Sequence, residues 1–102
     1  MRAEGVEHAR HIFIKNYVFA LTLEGACKAW RLNRLKAMVA RSMLQIDDEA
    51  FEDGGAYHKE FMTYASQVKT IVGAMDNDLA CDTAQEMYGP SGQVAKDWMS
   101  RR

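Results

Sequence analysis

Apolar residues recur at helical spacing in several stretches of this chain, and each stretch predicts a helix with one buried face. Between residues 6 and 21, Phe13, Tyr17 and Leu21 stand four apart, with Ile14 and Val18 beside them. Residues 12–19 are rich in β-branched and aromatic side chains, but the stripe is broad and does not alternate strictly, so it predicts helix rather than strand. Thr22 has the hydroxyl of an N-cap and Glu24 the charge favoured in a first turn, which predicts a second helix over 23–30. Asn33 is another N-cap candidate and opens a third helix over 34–45. No Gly or Pro marks the junction of these two, so one unbroken helix over 23–45 is the alternative. Phe61, Tyr64, Ala65, Val68, Ile71, Val72 and Met75 recur every three or four residues and predict a fourth helix over 56–75. A turn at 76–78, a short helix over 79–87, a break at Gly89, Pro90 and Gly92, and a last helix capped by Ser91 complete the pattern.

Composition narrows the picture to one all-α domain of four to five helices. The chain has 102 residues, 48% hydrophobic and 26% charged, with seven Gly and one Pro. That suits a single domain over 1–102 and offers too few turn residues for a sandwich or barrel. The length leaves no room for a large α/β enzyme fold. The longest apolar stretch, 12–23, is interrupted by Lys15, Asn16 and Thr22, short of the run of about 18 residues that a membrane span needs. The first residues lack the apolar core of a signal peptide, so no membrane partner and a cytoplasmic location are expected. Cys27 and Cys81 lie far apart without CxxC spacing. Free, buried thiols are the expectation, and one disulfide is the arithmetical alternative.

Charge divides the chain. Residues 1–46 hold eight basic and three acidic side chains, whereas residues 47–102 hold five basic and eleven acidic ones. A near-neutral total of −1 therefore conceals a basic part over 6–46, an acidic linker over 47–55 and a helical packing or oligomerisation part over 56–102. Such asymmetry points to an anionic partner for the first half, or to attraction between the halves. Within the basic part, residues 23–41 read as helix, tight turn, helix. Small residues Ala26 and Cys27 fall on the first helix, Trp30 and Leu32 flank the turn, and Ala37 and Ala40 sit inward on the second. This is the spacing of a helix-turn-helix, whose second helix enters the major groove. Lys28, Arg31, Asn33, Arg34, Lys36 and Arg41 are then the DNA-binding candidates. Arg31 takes the turn slot where Gly is usual, at a cost of about 1 kcal/mol.

Phe13 and Tyr17 on one helix, a short gap, and then the run from Leu23 through Gly25, Ala26 and Cys27 to Trp30 resemble the opening of bacteriophage terminase small subunits. The resemblance covers roughly residues 12–44. It implies a DNA-binding helix-turn-helix followed by an oligomerisation helix, placed here over 56–75, and a role in phage DNA packaging or regulation.

Other constellations say less. His8 and His11 share a helical face, but nothing nearby completes a metal site, and solvated histidines are expected. Asp47, Asp48, Glu49, Glu52 and Asp53 do not match a calcium loop and read as a solvated linker. Cys27 lacks a neighbouring His and reads as a small core residue. No cofactor and no enzymatic activity are expected. Seven methionines fill core gaps by default and line adaptable binding surfaces otherwise. The stripe Phe61, Tyr64, Val68, Ile71 and Met75, with Trp98 and Met99, looks larger than a small core needs and predicts a homo-oligomer. The expected function is DNA binding. The alternative is a small helical protein-interaction module or phage-encoded inhibitor acting through an acidic face.

Overall fold

A computed structural model describes residues 3–102. Four helices and one two-stranded ribbon follow in the order α1 (Ala3–Ala26), β1 (Trp30–Leu32), α2 (Arg34–Met43), α3 (His58–Gly73), α4 (Asn77–Tyr88) and β2 (Met99–Arg101). A 3-10 turn, Asp48–Phe51, lies in the acidic linker. The expected all-α class holds, with only the small ribbon added.

Helix α1 is the spine, and α3 and α4 pack along it. It runs through the break expected at Thr22 because nothing there stops it. The Thr22 hydroxyl donates back to the Val18 carbonyl at 2.7 Å instead of capping a new helix. The helix expected over 23–30 is therefore the last turn of α1, and the chain then extends into β1. The unbroken 23–45 alternative fails as well, because the chain bends at 27–33. Ile14, Val18, Leu23 and Cys27 line the buried side of this first element and meet Val68, Val72, Ala80, Ala84, Tyr88 and Met99. Small Ala80 and Ala84 let α4 approach closely.

The ribbon was not expected. Its strands pair antiparallel, Trp30 opposite Arg101, Arg31 opposite Ser100 and Leu32 opposite Met99. Two further backbone bonds lengthen the ladder, Asn33 N–H to the Trp98 carbonyl at 2.7 Å and Arg102 N–H to the Ala29 carbonyl at 3.0 Å. Trp30 and Leu32 point into the core and Arg31 points out, the two-residue alternation of a strand. Arg31 is thus extended and free of left-handed strain, so the missing Gly needs no compensation. The last expected helix, over 91–100, is also absent. Its backbone N–H groups turn back onto the end of α4, Gln93 to the Glu86 carbonyl and Val94 and Ala95 to that of Met87. Those carbonyls are orphans of a helix end, and Pro90 prevents the helix from continuing past them.

Further expectations are corrected. Cys27 and Cys81 are not free thiols but a disulfide joining the end of α1 to α4. The stripe on α3 is mostly core: Val68 and Met99 are buried, Phe61, Tyr64, Met75 and Trp98 half-buried, and only Ile71 is exposed. Met62 and Ile71 stay exposed on α3. His11 is likewise not merely solvated. Its Nδ1 lies 2.6 Å from Glu60 and its Nε2 3.2 Å from Glu7, which ties α1 to α3.

The end of α2 carries a testable cost. Ile46 N–H bonds the Arg41 carbonyl and Gln45 N–H that of Ser42, the paired bonds of a Schellman cap. The residue that must be left-handed there is Gln45, at φ 56°. Gln45→Gly should therefore raise stability by about 0.5–1 kcal/mol in a urea titration, against the usual penalty for glycine.

Tyr88 is fully buried, and its hydroxyl donates to Asn16 at 3.0 Å. Burial first, and then the neighbouring Tyr64, push its pKa well above the ordinary 10.0. Below that value both folded and unfolded chains keep the proton. Above it the unfolded chain releases its proton first, so stability should fall as pH rises past 10.0. Denaturant midpoints measured at neutral and at alkaline pH check the sign, and a flat profile would count against a buried, protonated Tyr88.

Candidate functional site

The basic end of the molecule is built from the close of α1, the ribbon and α2. Asn33 caps α2 as its side chain suggested, its Oδ1 accepting the Lys36 N–H at 3.2 Å. This cap and the strand before it decide the rotation of α2. Ala37 turns into the core and Ala40 is half-buried, as their size anticipated. The opposite side of the helix then faces water, and it is apolar: Leu35 is 72% exposed, Met38 56%, Val39 51% and Met43 79%. These four stand at i, i+3, i+4 and i+8, one continuous stripe.

The six sequence candidates are partly brought together. Arg34 lies beside the stripe, its Nη2 2.6 Å from the Glu24 carboxylate. Lys36 flanks it, its Nζ 3.9 Å from Asp97, an exposed pair of small energetic value. Arg41 borders a groove of about 230 Å³ between α1 and α2, floored by Phe13, Tyr17, Ala37 and Met38. Arg31 projects from β1 on the far side of Arg34. Lys28 stands apart in the turn before β1, where its backbone N–H bonds the Asn77 side chain at 3.1 Å, and it borders neither cleft. Helix α2 carries Arg34, Lys36 and Arg41 and no acid.

A second hollow of about 500 Å³ opens beside the start of α2, lined by Glu24, Arg31, Asn33, Arg34, Ser100 and Arg102. Arg102 is held in place there. Its Nε donates to the Trp30 carbonyl and its Nη2 to the Glu24 carbonyl, both at 3.2 Å, which satisfies a carbonyl in the last turn of α1. Arg101 takes the other face of the ribbon, with its guanidinium 5.4 Å from the Trp30 ring centre.

Sequence reasoning placed Ala37 and Ala40 inward correctly but did not single out the stripe Leu35, Met38, Val39 and Met43, because methionines were given to core filling by default. The available signal was that α2 has two apolar sides, one small (Ala37, Ala40) and one large, and only the small one fits against α1. It also missed Glu24, Ser100 and Arg102, because a pairing across most of the chain carries no local mark. Among the described residues, no group of three or more His, Cys, Asp or Glu side chains is placed to hold a metal ion. No described helix is long and apolar enough to cross a membrane. Compared with protein-family models, with curated proteins and with solved structures, the chain matches none.

Proposed function

We propose that the protein is a non-enzymatic binding module that docks an acidic, amphipathic segment of another protein onto α2. The observation that carries this reading is the exposed stripe Leu35, Met38, Val39 and Met43. Burying four large apolar side chains against a partner yields several kcal/mol before the costs of association, on the order of 25 cal/mol per Å² removed from water. The rim favours a partner of negative charge. Arg34, Lys36 and Arg41 flank the stripe and α2 itself carries no acid, so an acidic segment is attracted and steered. A second copy of α2 would set these cations against their equals, which disfavours a symmetric dimer here.

The charge of this end suits duplex DNA too, the sequence-based expectation. A recognition helix, however, must offer hydrogen-bonding groups to base edges. The outward face of α2 offers apolar chains instead. The terminase-like packaging role is weakened with it. A disulfide lasts in oxidising surroundings, so the module is suited to work outside a reducing cytoplasm.

The test uses a synthetic helical peptide with leucine on one face and glutamate on the other, a scrambled peptide of the same composition, and a duplex DNA. Fluorescence anisotropy should show binding of the ordered peptide above both others. Leu35→Ser with Met38→Ser should weaken it by about tenfold or more. Duplex binding that survives this double variant but is abolished by Arg34→Glu with Lys36→Glu would overturn the proposal in favour of DNA.

A further inference from the structure

We infer that the arginine-lined hollow beside α2 binds a phosphomonoester group. Three guanidiniums, Arg31, Arg34 and Arg102, border it against the single side-chain carboxylate of Glu24, leaving a net side-chain charge of about +2 that suits a phosphomonoester dianion. Glu24 is not a competing ligand. One of its oxygens accepts the Leu32 N–H at 2.7 Å and the other the Arg34 Nη2 at 2.6 Å, so it fixes the β1–α2 corner and aims Arg34. Arg102 is fixed by its two carbonyl bonds, and a guanidinium held this way gives up little freedom when it takes a further acceptor. Arg31 is exposed and makes no polar side-chain contact with the described residues. It is an arginine with no structural task, opposite the Ser100 hydroxyl across the ribbon. Helix α2 begins at the rim, with Asn33 and Arg34 in the lining, so the positive end of its dipole adds to the same field.

The hollow is open and polar, a place for a headgroup rather than for a whole apolar ligand. Two sources share the chemistry, a small free phosphate ester and a phosphorylated side chain on a protein.

The test titrates the intact, disulfide-bonded protein at low salt with phenyl phosphate, with phenyl sulfate as the monoanionic shape control, and with a phosphoserine peptide. Phenyl phosphate should bind more tightly than phenyl sulfate, and its affinity should rise as pH passes about 6 and the ester gains its second charge. Arg31→Gln should weaken phenyl phosphate about tenfold, and Arg31→Lys should recover only part of the loss, because the fork geometry is missing. Neither variant should move the thermal midpoint, since the Arg31 side chain touches no polar group of the fold. A phosphoserine peptide that binds more tightly than phenyl phosphate assigns the site to a phosphorylated partner. The reverse assigns it to a small ester. Equal affinity for phosphate and sulfate, or binding indifferent to Arg31→Gln, overturns the inference.

Discussion

Replacing both Cys27 and Cys81 by alanine should lower the unfolding free energy by about 4 kcal/mol, from the loss of loop-closure constraint on the unfolded chain. The bridge spans 54 positions, more than half the chain, and is the largest single restraint on the unfolded state. It also fixes the corner at which α1 hands over to the ribbon and α2, because Cys27 directly follows the last turn of α1. For a domain of this size the loss corresponds to roughly 20 °C in the thermal midpoint. Reductant should produce the same shift in the parent and none in the double variant. A parent whose midpoint is unmoved by reductant would contradict the bridge.

Tyr88→Ala should cost about 3–5 kcal/mol, the range for truncating a fully buried aromatic. The ring lies at the end of α4 among Phe19 and Trp98, at centroid distances of 6.5 and 6.4 Å. It thereby joins α1, α4 and the segment leading into β2, so the cavity cannot close without moving one of them. Tyr88→Phe should cost only about 1 kcal/mol, because the ring stays and half-buried Asn16 can turn to water. Denaturant titrations of the two variants separate packing from hydrogen bonding. Equal losses would mean that the hydroxyl, not the ring, carries the contribution.

Much of the helical framework was legible because its signals are local. Asn33 caps α2, and the runs centred on Phe13 and Val68 have the three- and four-residue spacing of buried faces. What was not legible depends on contacts between distant residues. Three-residue strands carry too little alternation to announce themselves, and the partner of Trp30 is Arg101. The disulfide has the same character: the spacing of Cys27 and Cys81 is silent until α4 lies beside the end of α1. On α2 the inward placing of Ala37 and Ala40 was legible, yet the exposure of Leu35, Met38, Val39 and Met43 was not. That depends on the ribbon, which sets the helix's rotation.

The central claim is that the Leu35, Met38, Val39 and Met43 side of α2 is the working surface. Methyl NMR of protein labelled at the methionine methyl groups tests it most directly, because exposed Met38 and Met43 and buried Met99 report from the same sample. On titration with the leucine–glutamate peptide, the Met38 and Met43 signals should shift and saturate together while Met99 stays in place. If those two signals stay fixed while the peptide binds, or move only with duplex DNA, α2 does not dock an acidic partner.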